Sequence, residues 1–296
     1  MSDQRVLVTG ASGFLGDRLV RRLREEGLEV LAPRRTDGFD IVADDLDLGG
    51  ADHLFHLAAL TGVPAAWDDP VRFHLVNAHG TVRLLEACRA AGCGMTYVSG
   101  FVYGRPERMP IAESDPPRPN NPYAFSKLMG EEACRFYAST FGMKANIVRP
   151  FNIYGPGQDQ RFLLPVIVDQ VADPEAHEVV VKDLAPRRDF IHVDDVVSAI
   201  IAVARQPGGA VFNVGSGESY SVADIIAAAQ RAAGSSKPVR STEQTRPNEI
   251  MDVRADTTAL RGIGWRPEID LDRGMAQMVD EARARLAMRA SGDHHA

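Results

Sequence analysis

Lysine is scarce in this chain. Of 33 basic residues only Lys127, Lys144, Lys182 and Lys237 are lysines, so 29 are arginines and a lone arginine says little about a site. Cysteine is scarcer still. Cys88, Cys93 and Cys134 form an odd set without paired metal-type spacing, which argues against a disulfide framework and suggests no zinc site; packing is their expected role. Basic charge is outweighed by 40 acidic residues, for a net charge of −7, so the electrostatic footprint of a nucleic-acid binder is missing. No run approaches the roughly 18 apolar residues of a membrane span. The opening MSDQRVLVTG has no basic stretch leading into an apolar one, so neither a membrane nor export is expected, and the cytoplasm is the expected compartment. What is present, 296 residues at 45% hydrophobic and 25% charged, suits one or two globular domains with a sizeable core.

Short β-branched runs alternate with longer amphipathic segments, the pattern of a parallel sheet covered by helices on both faces. RVLVTG (5–10) reads as the first strand and 14–27, closed by Gly27, as the first helix. Strands are expected at 28–32, 39–43, 52–59, 95–99 and 144–150, with helices at 71–91 and 123–142. Six prolines between Pro106 and Pro122 exclude regular structure there. Beyond Pro150 the rhythm breaks into shorter, mixed pieces. The expectation is an α/β chain: a Rossmann-type doubly wound parallel sheet over 1–152, with a return segment at about 188–215. A smaller, discontinuous C-terminal substrate-binding domain is expected over 153–187 and 216–288, and a flexible tail over 289–296. His53 and His56 fall on opposite faces of a strand, which disfavours a shared metal; no metal site is expected.

TGASGFLG places Gly10, Gly13 and Gly16 between a strand and a helix, with Ser12, Phe14 and Leu15 completing the turn. Glycines let the backbone approach a pyrophosphate, and the helix N-terminus supplies free N–H groups and the positive end of a dipole. The spacing is GxxGxxG, one residue wider than the plain dinucleotide fingerprint. After the second strand stands LAPRR, where an acidic residue would hold an adenosine ribose. Arg34 and Arg35 instead suit a 2′-phosphate, which favours NADP(H) and leaves NAD(H) possible; two surface arginines in an arginine-rich chain would read the same way.

Tyr123 and Lys127 are four apart on an expected helix and so share a face. A tyrosine is a poor acid or base at neutral pH unless a neighbouring ammonium favours its phenolate. Ser99, at the end of a strand, points into the crevice where open α/β sheets bind ligands. A packed tyrosine with a solvated lysine has the same spacing, and the spacing alone does not separate the two.

TGASGFLG, FHLAAL, NAHGT, YVSGFVYG, NPYAFSK, RPFNIYGPGQ, RRDFIHVDD, FNVGSG and TRPNEI occur in that order. From about Val6 to Met278 the chain resembles the extended short-chain dehydrogenase/reductases, the NAD-dependent epimerase/dehydratase family, in its nucleotide-sugar-modifying branch. By that resemblance Ser99, five residues before Gly104 of the VYG motif, matches the catalytic serine or threonine, and Tyr123 and Lys127 match the catalytic pair. The resemblance implies that Lys127 also binds the nicotinamide ribose and that Asn77 lies beside the cofactor. Leu57, Ala58 and Ala59 would line the adenosine side, though FHLAAL is equally a core strand, and Asp45 and Leu46 would contact adenine. Asn152, Arg188 and Arg246 match positions that hold the diphosphate of a nucleoside-diphosphate sugar. The helices at 71–91 and 123–142 correspond to those that form a homodimer interface in relatives.

Members of the family that dehydrate carry acidic residues just after the catalytic Ser/Thr, and those that make fucose-type sugars carry a cysteine there. Here Gly100 and Phe101 stand in those places. Two outcomes remain. One is NADPH-dependent reduction of a 4-keto sugar, with Tyr123 protonating the oxygen, Ser99 holding it and Lys127 keeping the phenol's pKa low. The other is an NAD-dependent nucleotide-sugar 4-epimerase. Arg34 and Arg35 favour the reductase. A reductase of a non-sugar ketone, or a non-catalytic NADP(H)-binding protein, is a further alternative, against which stand Asn152, Arg188, Arg246 and the intact Tyr–Lys pair.

Overall fold

The computed structural model describes residues 4–37, 39–43, 47–244 and 249–292. In chain order the elements begin β1 (Arg5–Thr9), α1 (Phe14–Glu25), β2 (Glu29–Leu31), β3 (His53–His56), α2 (Val63–Asp68) and α3 (Pro70–His74). A π-helical turn (Leu75–His79) leads into α4 (Gly80–Ala91), followed by β4 (Gly94–Val98), α5 (Pro122–Phe141) and β5 (Ala145–Pro150). Then come β6 (Asn152–Tyr154), α6 (Leu163–Ala172), β7 (Val179–Val181), β8 (Arg187–Arg188), β9 (Phe190–His192) and α7 (Val193–Ala204). The chain closes with β10 (Val211–Val214), β11 (Tyr220–Ser221), α8 (Val222–Ala233), β12 (Val239–Ser241), α9 (Thr258–Gly262) and α10 (Leu271–Gly292).

The chain forms two compact units. The first comprises Met1–Phe151, Val196–Val214 and Asp256–Arg266. It holds a six-stranded sheet of order β10-β5-β4-β3-β1-β2, parallel at every pairing. This is the doubly wound α/β arrangement that the alternating pattern predicts. The inner strands β3, β4 and β5 are buried along their whole length, as strands covered on both faces must be. Leu54, Leu84, Leu85, Met95, Tyr97 and the three free cysteines pack into one apolar cluster, so the thiols act as small core groups. Helix α1 buries Leu19, Val20 and Leu23 and carries Asp17 in its first turn and Arg22 and Arg24 in its last, in keeping with the helix dipole. Helix α5 starts at Pro122 behind Asn121, whose side chain accepts from the Ala124 N–H at 2.9 Å, and stops at left-handed Gly142.

Three expectations for this unit need correction. Residues 39–43 form turns, not a strand, because the Asp40 carboxylate takes the Val42 N–H at 2.8 Å and bends the backbone. Ile41 from this turn lies buried against Gly80. The helix expected at 71–91 is α3, the π turn and α4 in succession, and α2 precedes it unforeseen. The strand expected to reach residue 59 ends at His56, leaving residues 57–60 half-buried in a loop.

The second unit comprises Asn152–Asp195, Gly215–Ala255 and Pro267–Ala296. Its strands pair two by two: β6 with β9 and β7 with β12 in parallel, β8 with β11 antiparallel. Helices α6, α8 and α10 close on a core of Leu164, Ile167, Val168, Ile225, Ile226, Met275 and Val279. A capping box at Ser221 and Asp224 starts α8. The return to the first unit begins at Val196 rather than near 188, because β8 and β9 pair within the second unit. A second return, Asp256–Arg266, has no counterpart in the expected boundaries, and α10 runs on to Gly292 through part of the expected tail. No helix among the described residues is long and apolar enough to cross a membrane.

Candidate active site

In the first unit the chain turns between β1 and α1 on three glycines. Gly10 has φ +73°, and a Cβ there would lie 2.7 Å from the Ala58 nitrogen. A Cβ on Gly16 would meet the Gly10 carbonyl oxygen at 2.1 Å, and one on Gly13 would meet it at 3.3 Å. Side chains are thus excluded where the turn packs on β3's exit and on its own helix. Gly13 is the N-cap of α1 and offers no side-chain cap, which leaves the first-turn N–H groups of the helix free for an anion. Ser12 is exposed beside them, and Phe14 and Leu15 are half-buried.

Arg34 and Arg35 follow β2 and are exposed, with no ion-pair partner among the described residues. Asp45 and Leu46 lie outside the described residues. Leu57, Ala58 and Ala59 form the half-buried loop at the C-terminal end of β3. Asn77, in the π turn and 1% exposed, accepts from the Leu60 N–H at 2.8 Å and donates to the Leu60 carbonyl at 3.0 Å and to Ser126 Oγ at 2.9 Å.

The proton-handling residues lie at the ends of β4 and α5. Ser99 is buried just past β4, its N–H held by the Val148 carbonyl at 2.8 Å. Its hydroxyl is buried without a hydrogen-bond partner, so it is free to bond an oxygen that enters from elsewhere. Tyr123 reaches the same place: a Cβ on Gly100, the residue after Ser99, would come within 3.2 Å of the phenol oxygen. Burial pushes the Tyr123 phenol up to about 12, so it is protonated at neutral pH.

Lys127 departs from expectation. Its ammonium rests on the Tyr97 ring, 4.3 Å from the centroid. Burial lowers its pKa to about 7, opposed by Cys134 and Glu131. Burial accounts for the upward Tyr123 shift.

Around these residues lies a buried polar network that sequence reasoning missed. Arg149 binds Glu131 through Nε at 2.9 Å and Nη2 at 2.6 Å, and donates to Tyr103 Oη at 2.8 Å. Tyr103 in turn donates to Asn213 Oδ1 at 2.6 Å. The sequence signal was a charged Arg149 beside Pro150 in a strand whose only other polar residue is Asn146. His53 and His56 are structural: His53 bonds Thr96 at 2.9 Å, and His56 bonds Thr9 at 2.8 Å and Thr81 at 3.0 Å. Among the described residues no group of three or more His, Cys, Asp or Glu is placed to hold a metal ion.

In the second unit, Asn152 donates through Nδ2 to the Asp189 carbonyl at 3.1 Å. The neighbouring Arg188 is already engaged, with Nη1 on the Ile250 carbonyl at 2.6 Å and Nη2 paired with Glu249. Asn152 and Arg188 thus flank Asp189, whose carboxylate takes N–H bonds from Ser216 at 2.7 Å, Gly217 at 3.0 Å and Ala255 at 3.0 Å. Arg246 lies outside the described residues.

A turn that admits no Cβ at Gly10 or Gly16, an uncapped helix N-terminus, an orphaned serine hydroxyl and a protonated phenol against the next residue fit a nicotinamide dinucleotide and a reacting carbonyl. Residues 6–215 match the model of the NAD dependent epimerase/dehydratase family. The chain belongs to that family. It is an NAD(P)-dependent enzyme of the family, in which it is 33% identical to GDP-6-deoxy-D-mannose reductase of Pseudomonas aeruginosa, over 96% of this chain and 98% of that one. It is equally 33% identical to UDP-glucose 4-epimerase of Mycolicibacterium smegmatis, over 93% and 97%. Among solved structures, RMD of Pseudomonas aeruginosa complexed with NADPH superposes with a TM-score of 0.87 at 32% identity, covering 96% of this chain and 98% of that one. Family membership accounts for the fold and for the kind of cofactor; choosing between its reactions needs the side chains.

Proposed function

We propose that this protein is an NADP(H)-dependent reductase of a nucleoside-diphosphate 4-keto sugar, with Ser99, Tyr123 and Lys127 as its catalytic residues. The observation that carries the reading is the exposed pair Arg34 and Arg35 after β2, cationic where an acidic residue would hold the ribose of NAD(H). A reductase consumes a reduced cofactor at each turnover and gains from the NADPH pool, whereas a 4-epimerase regenerates the NAD⁺ it holds. The reductase relative of Pseudomonas aeruginosa supports the substrate class, and Gly100 and Phe101 offer no acid or base for dehydration.

The turn at Gly10, Ser12, Gly13, Phe14, Leu15 and Gly16 would hold the pyrophosphate on the α1 N-terminus. Arg34 and Arg35 would grip the 2′-phosphate, residues 57–59 border the adenosine, and Lys127 anchor the nicotinamide ribose. When bound, the reduced nicotinamide supplies a hydride to the carbonyl carbon. Ser99 Oγ donates a hydrogen bond to the carbonyl oxygen, and Tyr123 Oη gives that oxygen its proton as charge develops. Asn152 and Arg188 hold the substrate diphosphate, which requires Arg188 to share or release Glu249.

The equal identity to a UDP-glucose 4-epimerase favours a second reading, an NAD-dependent nucleotide-sugar 4-epimerase. Turnover with a GDP- or dTDP-linked 4-keto-6-deoxy sugar, compared between NADPH and NADH, separates the two from epimerisation of UDP-glucose without added cofactor. We also propose a homodimer. Val71, Leu75, Val82, Phe125 and Met129 are exposed along the helical run from α3 to α5, large apolar side chains on the elements that the family resemblance assigns to a dimer interface. Light scattering on Leu75→Glu would read a monomer if that face pairs.

A further inference from the structure

Asn77 has no donor to spare. Both Nδ2 hydrogens are used, on the Leu60 carbonyl at 3.0 Å and on Ser126 Oγ at 2.9 Å, while Oδ1 takes the Leu60 N–H at 2.8 Å. Ser126, fully buried, spends its own hydrogen on the Tyr123 carbonyl at 2.8 Å. One unbroken chain of hydrogen bonds therefore runs from Leu60 through Asn77 and Ser126 to the backbone of Tyr123. Its ends are functional segments: residues 57–60 leave β3 beside the glycine turn, and Tyr123 lies in the first turn of α5. The π turn that carries Asn77 is the kind of helical irregularity that clusters at functional sites.

We propose that Asn77 and Ser126 are positioning residues that couple the dinucleotide-binding loop at residues 57–60 to the first turn of α5, which carries the proton donor Tyr123. The inference rests on the function proposed above. Hydrogen bonds in a buried chain polarise one another, and a broken link leaves a desolvated group unpaired, so order imposed at Leu60 is passed along the chain to Tyr123. Asn77 then serves the cofactor through the loop it holds, not through a direct bond from its amide.

Hydrogen exchange of the full chain with and without saturating NADPH, and in parallel NAD⁺, tests this in wild type, Ser126→Ala and Ser126→Thr. Wild type should gain protection at residues 57–61 and at 123–127 on binding. Ser126→Ala should keep its dinucleotide affinity within about twofold and its gain at 57–61, but lose at least about fivefold of the gain at 123–127. Ser126→Thr, which restores the hydroxyl, should recover it. If the alanine variant does not fold, Ser126→Cys fills the space with a weak donor and gives the same comparison. An undiminished gain at 123–127 in Ser126→Ala, with 57–61 protected, overturns the coupling alone. Failure of both dinucleotides to protect 57–61 in wild type overturns the proposed function and the coupling with it.

Discussion

A Cβ on Gly16 would stand 2.1 Å from the carbonyl oxygen of Gly10, so the two glycines of the first turn are locked against each other by backbone contact. No rotamer change relieves such a clash. Gly16→Ala is expected to cost about 1–3 kcal/mol of stability by overpacking and to weaken dinucleotide binding at least tenfold. Gly262→Ala, where a Cβ would meet nothing within 4 Å, should leave both unchanged. Melting curves and calorimetric titration of the two variants check this.

Arg34 and Arg35 project from the end of β2 without a described ion-pair partner. Each charge-assisted contact to a phosphate is worth about 1.5–3 kcal/mol, so Arg34→Ala with Arg35→Ala should weaken NADPH binding by roughly 100-fold or more. NADH, lacking the phosphate, should bind both proteins alike. Fluorescence titration of the two cofactors measures the difference.

Tyr123→Phe removes the proton and leaves the ring. Turnover should fall by about 10²–10⁴, the range of general acid catalysis, while dinucleotide affinity stays within about twofold. Full turnover in this variant would remove Tyr123 from the chemistry.

Acid should weaken the fold before any carboxylate is needed to explain it. Burial, aided by Lys144, lowers His53 to about 4, and burial, aided by Lys127, lowers His56 to about 3. Unfolded histidines take up protons below about pH 6.5. Between that pH and the folded values the unfolded state binds more protons, so stability is full above about 6.5 and falls toward 4. Each histidine contributes a slope of up to about 1.4 kcal/mol per pH unit. Thermal melts across this window should show a shallower decline in His53→Gln than in wild type.

The sequence was most legible where structure is local. The VLV run and the glycine spacing predict a strand, a tight turn and a helix within 25 residues, and β1 and α1 form there. It was least legible where a distant partner decides. FDIVA has a strand's composition, but the Asp40 side chain turns it and Gly80 offers Ile41 a seat. Arg188 reads as a free fork until Glu249, 61 residues on, closes on it. Ser126 carries no signal of its own in the sequence, yet it joins Asn77 to Tyr123. Such contacts leave no local period or spacing behind.

In the proposed reaction the hydride passes from NADPH to C4 of the sugar. The most direct measurement uses NADPH carrying deuterium on the transferred position, with a 4-keto nucleotide sugar, and product mass spectrometry. One deuterium at C4, matched by NADP⁺ formed in equal amount, is the predicted result. A 4-keto sugar left unlabelled and unreduced, with UDP-glucose epimerised without added cofactor by protein that releases stoichiometric NAD⁺ on denaturation, would contradict it.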